Sequence, residues 1–128
     1  MAQYHAHIPA KLPGLNDYVR ACRANRFEGA KMKQDAEQLI SFYLRDIPDM
    51  TCPVTIRFHW TEGNRRRDLD NVAFAKKFIL DALVKTGKLP NDNRKYVRGF
   101  RDTFEEYKGA WCCDVIITEE EPDEGETD

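Results

Sequence analysis

Arg65-Arg66-Arg67-Asp68-Leu69-Asp70-Asn71 sets three guanidinium groups against two carboxylates one residue apart. From an extended segment, alternate side chains leave on the same side, so Asp68 and Asp70 are placed to share a hard cation through oxygen ligands. Mg2+ suits that donor set, with Mn2+ as its substitute. A cation held this way polarises a phosphoryl oxygen and acidifies a bound water, the chemistry of phosphodiester hydrolysis. The arginines offset the repulsion between an acidic pair and phosphate, and hold the nucleic-acid backbone. Asp70 has a second explanation as a helix N-cap, where a carboxylate contributes roughly 1 kcal/mol. Capping leaves Asp68 and the arginines unaccounted for.

Asp92, in Leu89-Pro-Asn-Asp92-Asn, is the candidate third carboxylate, although an Asn/Asp-rich turn explains the same residues equally well. At about 100° per residue, Lys77 returns to the helix face of Asp70 seven positions earlier, whereas Lys76 points away. Lys77 is therefore the lysine placed to neutralise charge developing on the pentacovalent phosphorus. An i,i+4 ion pair with Asp81 is its alternative role. Lys76 joins Arg65, Arg66 and Arg67 as a candidate backbone contact.

These residues need elements to hold them. Residues 53–60, PVTIRFHW, alternate Val54, Ile56, Phe58 and Trp60 against Thr55, Arg57 and His59, the period of a strand buried on one face. From Asp70 the spacing of Val72, Ala75, Ile79, Ala82 and Leu83 predicts a helix of about four turns, stopped by Gly87 and Pro90. Tyr4, Ala6 and Ile8 alternate with His5 and His7 in a first strand, and Asn16 to Leu44 is helical with a break near Phe27-Glu28-Gly29. Residues 94–104 and 111–118 read as two more strands, joined by a hairpin turn at Tyr107-Lys108-Gly109. The expected class is α+β (mixed α/β), one domain with a sheet of about four strands backed by helices.

The 128 residues suit one core, and no apolar run would cross a bilayer. No secretion leader is recognisable, which gives a cytoplasmic expectation. Cys22, Cys52, Cys112 and Cys113 lack a CxxC spacing and are expected to be reduced and mostly buried. The net charge of −2 averages two regions: the last ten residues, EEEPDEGETD, hold seven acids. Positions 1 to 118 retain 20 basic against 15 acidic residues, a body of formal charge +5. The acidic tail, 119–128, is expected to be disordered and to compete with DNA for the basic face. His5, His7 and His59 sit on outward strand faces and would make a transition-metal site if those strands paired, though solvated or hydrogen-bonded histidines are commoner.

In this order the residues resemble the RusA-type Holliday junction resolvases, small Mg2+-dependent endonucleases frequent in phages and prophages. The resemblance rests on RRRDLDN, on Lys77-Phe-Ile-Leu-Asp81-Ala82-Leu83, on Gly87 leading to Asp92, and more weakly on Pro13-Gly-Leu-Asn16-Asp-Tyr18, spanning most of residues 4 to 118. It implies a RusA-like domain over 1–118, with Asp68, Asp70 and Asp92 as catalytic metal-binding carboxylates and a catalytic lysine on the helix. It also implies a homodimer, whose two-fold symmetry suits paired nicks across a four-way junction. Asn16 and Tyr18 would join the arginines and Lys76 in contacting DNA. Two departures qualify the match. Three more residues separate DLDN from DAL than in a shorter family version, so the lysine is found by counting back from Asp81, which selects Lys77. Asn91-Asp92 stands where the family often has paired aspartates, so the role passes to Asp92 alone. The expected activity is Mg2+-dependent resolution of branched DNA. The alternatives are a catalytically inactive branched-DNA-binding protein and a metal-dependent hydrolase of small phosphoesters.

Overall fold

The apolar alternation of residues 53–60 becomes the central strand, Val54–Glu62 (β2). A computed structural model describes residues 2–122. Around β2 lie Gln3–Ile8 (β1), Val97–Glu106 (β3) and Cys112–Glu119 (β4), in the sheet order β1-β4-β2-β3. β4 runs antiparallel to both β1 and β2, whereas β3 is parallel to β2. Helices Leu15–Ala24 (α1), Arg26–Tyr43 (α2), Leu69–Ala73 (α3) and Lys76–Lys85 (α4) complete an α+β domain with a mixed sheet. No helix among the described residues is long and apolar enough to cross a membrane.

The expected hairpin between the last two strands does not form, because β2 lies between β3 and β4. Their compositions explain the order. β4 offers Cys113, Val115 and Ile117 to the core and takes an inner place. β3 carries Arg98, Gly99, Arg101, Asp102, Glu105 and Glu106, a polar composition that suits an edge. It also starts at Val97 rather than 94: the amide groups of Tyr96 and Val97 donate to the Asn93 carbonyl in a tight turn. A register shift opposite Val54/Thr55 accommodates one extra β3 residue, so Val97 faces the core together with Phe100, Asp102 and Phe104.

Phe58 and Phe78 are fully buried, and α4 adds Ile79, Ala82 and Leu83 to a core shared with Ile40 of α2 and Leu44, its C-cap. The first helical break falls at Asn25, where its side chain caps α2 by accepting from the Glu28 amide, two positions before the expected site. Only Cys113 of the four free thiols is buried; Cys22 is exposed, and Cys52 and Cys112 are half-buried. The start of the acidic tail is ordered against the sheet. Glu119 ends β4, Glu120 accepts from Thr55 and donates its amide to the Pro53 carbonyl, and the Glu121 carbonyl accepts from Arg98. The tail from residue 123 lies outside the described residues.

Candidate active site

Parallel pairing of β2 with β3 requires a crossover, and α3 and α4 supply it. Ligands in such sheets bind beyond the carboxyl ends of the strands. Asp68 and Asp70 sit there, just after β2. Asp68, not Asp70, occupies the N-cap position of α3, and its side chain makes no capping bond. Both carboxylates are exposed, and neither has a hydrogen bond or ion pair among the described residues. Capping therefore explains neither acid.

Asp70 opens into a cleft of about 790 Å³ whose walls include Tyr18, Phe74, Phe78, Lys76, Lys77 and Asp102. Asp68 opens into a smaller hollow of about 350 Å³ with Arg65 and Glu106, and the two hollows share Leu69 and Phe104. The carboxylates are thus neighbours on either side of Leu69. Tyr18 stacks on Phe74 at 5.7 Å and meets the edge of Phe78 at 5.6 Å between ring centroids. A hydrogen bond with Cys22, reinforced by burial, raises the Tyr18 hydroxyl above its ordinary range and keeps it protonated at the cleft wall.

The helix expected from Asp70 is interrupted. Ala75, Lys77 and Phe78 donate their amides to Val72, Phe74 and Ala75, each three residues back. Three steps at about 120° instead of 100° add about 60° of rotation. Lys76 comes round to the cleft, correcting the expectation that it points away, and both lysines line the cleft with Asp70. They differ in environment. The Lys76 side chain is 21 % exposed, bonds Asp102 at 2.5 Å and lies over the rings of Phe58 and Phe100. That of Lys77 is 56 % exposed and, among the described residues, makes only the i,i+4 pair with Asp81, at 3.2 Å.

Asp102, which also accepts from Trp60 Nε1 at 2.9 Å, has no counterpart among the residues singled out from sequence. An acid between Phe100 and Phe104 on the inward side of an alternating strand is the signal that would have found it. Lys33 is a second cleft residue found only in the structure.

The arginines divide. Arg66 is exposed, and Arg65 is exposed while paired with Glu106. Arg67 is turned inward: its side chain is 12 % exposed, forks onto Glu62 with two 2.7 Å bonds and donates to the Leu12 carbonyl. It anchors the loop and is not displayed for DNA. Asn71 is likewise buried, and its side chain accepts the backbone amide of Asn16 at 2.9 Å, joining α3 to the first turn of α1 while Asn16 itself stays exposed. The two distant motifs therefore pack against each other. A Cβ at Gly14 would lie 2.6 Å from Asn71 Oδ1 and 2.9 Å from its carbonyl oxygen. Gly14→Ala is expected to destabilise the fold by about 2 kcal/mol in chemical denaturation, because backbone oxygen cannot rotate aside.

Asp92 is not brought to the pair. It lies exposed in the Asn91–Asn93 turn at the amino end of β3, beside Val54, while Asp68 follows the opposite end of β2. The nine residues of β2 separate those ends by about 26 Å at roughly 3.3 Å each. Asp68, Asp70 and Asp92 therefore do not converge within one chain, contrary to the three-carboxylate expectation. Of the three histidines only His5 and His7 come together, both on β1: β4 separates β1 from β2, and His59 bonds Thr103 and Glu105 of β3.

The sequence matches no model of a known protein family, and no curated protein matches it significantly.

Proposed function

We propose that the protein is a Mg2+-dependent endonuclease that resolves branched DNA, acting as a homodimer. The observation that carries this reading is a pair of exposed carboxylates without a protein partner among the described residues: Asp70 in a cleft that also presents Lys76 and Lys77, and Asp68 in the hollow that adjoins it across Leu69. Oxygen ligands facing solvent suit Mg2+ or Mn2+, which keep several waters and take phosphate oxygen as a further ligand. In this reading the metal supplies an activated water and a Lewis acid when bound. Arg65 and Arg66 hold the phosphate backbone, and Lys77 neutralises charge on the reacting phosphoryl group. The aromatic wall of Tyr18 and Phe74 offers a face on which an unstacked base at a branch point can lie. Asp92 reaches the metal only as Asp92 of the partner subunit, so that a two-fold dimer completes two sites at once.

The same cleft is large enough to favour a second reading, hydrolysis of a small nucleotide. The test incubates the protein with a synthetic four-way junction, a matched duplex, mononucleotides and Mg2+. Paired nicks across the branch point support resolution. Mononucleotide turnover with intact junctions supports the second reading, and junction binding without any Mg2+-dependent cleavage leaves a DNA-binding protein.

The lysines separate by two measurements. Lys77→Gln is expected to slow cleavage by about a hundredfold with unchanged stability. Lys76→Gln is expected to lower stability by about 1–3 kcal/mol, because Asp102 loses its charged partner.

A further inference from the structure

The sheet face away from the cleft carries a second group of metal-ligating side chains. On β1, His5 and His7 leave on the same side, two residues apart, and on β4 Cys112 and Asp114 do the same. His7 is directly opposite Asp114. His5 Nε2 and His7 Nδ1 approach the same oxygen, Asp114 Oδ1, at 3.0 and 2.8 Å. The ligand atoms of His7, Cys112 and Asp114 all lie within 4.8 Å of one another, the one such group among the described residues. Burial alone would raise the Asp114 carboxyl, but the hydrogen bonds from His7 and His5 outweigh it and hold the group ionised, below its ordinary range.

We propose that His5, His7, Cys112 and Asp114 form a binding site for a borderline-soft divalent ion of the Zn2+ class, which ties the edge strand β1 to β4. Two imidazoles, a thiolate and a carboxylate are the mixed N, O and S donors that Zn2+ takes in four-coordinate geometry, and the thiolate discriminates against Mg2+. On binding, Cys112 releases its thiol proton, and each imidazole ligates as the neutral tautomer, through the nitrogen that faces Asp114 with its one ring proton on the other nitrogen. The ligands come in pairs from two adjacent strands and are partly exposed, so small side-chain rotations close the site without moving the core. The site is independent of the Asp70 cleft, which lies on the helix side of the sheet.

Chelator-treated, reduced full-length protein titrated with Co2+ provides the test. One equivalent should produce intense visible bands of four-coordinate Co2+ and a thiolate-to-metal charge-transfer band, both erased by Zn2+ and unaffected by excess Mg2+. Cys112→Ser should abolish the charge-transfer band while Cys22→Ser retains it. His7→Gln should weaken binding by at least about tenfold. Zn2+ should raise the melting temperature of the parent protein and not of His7→Gln. Absence of the charge-transfer band in the parent, or its persistence in Cys112→Ser, overturns the assignment.

Discussion

Asp70→Asn is expected to slow Mg2+-dependent nicking of a four-way junction by about a thousandfold, equivalent to about 4 kcal/mol of transition-state stabilisation. The size follows from the position of the side chain. Its carboxylate is exposed, caps nothing and pairs with nothing among the described residues, so in the proposed reading its charge is free to take the metal at the cleft. For the same reason the amide should change folding stability by no more than about 0.5 kcal/mol. Junction affinity in Ca2+ or without metal should persist, because Arg65 and Arg66 are untouched. Equal nicking rates for the variant and the parent protein, at matched junction binding, would remove Asp70 from the chemistry.

The separation between what was legible in the sequence and what was not follows the range of the interactions involved. Strand β2 announced itself because its period-2 pattern and burial on one face are local properties, and they survive in Val54, Ile56, Phe58 and Trp60. The acidic pair was legible because its two members are adjacent in the chain. Sheet order was not, since placing β2 between β3 and β4 is a long-range choice made by the polarity of one strand against the apolar face of another. Helical phase failed over a single turn: a few i→i+3 bonds around Phe74 rotate everything beyond them, and a count from Asp70 to Lys76 cannot register that. Arg67 looks like its two neighbours in sequence, yet only it meets Glu62 and the Leu12 carbonyl. Its role was set by a contact across 55 residues.

Asp92 carries the second large effect, and its location makes the expectation specific. Asp92→Asn alone is expected to reduce cleavage by about a hundredfold or more, although about 26 Å of strand separates the ends of β2 next to Asp92 and Asp68. If the partner subunit's Asp92 completes each site, then Asp70→Asn and Asp92→Asn, each nearly inactive, should complement when mixed and allowed to exchange subunits. Half of the dimers are then mixed, and each mixed dimer contains one site with both lesions and one with none. About a quarter of the parent's sites should return on this statistical count. The products should change as well, because one intact site delivers a single nick where two deliver a pair. Failure to complement, with Asp92→Asn inactive alone, would place Asp92 in the same chain's site, and full activity of Asp92→Asn would leave it a turn residue. Single nicks in the mixture, beside paired nicks from the parent protein, are the outcome that only a site built from two subunits produces.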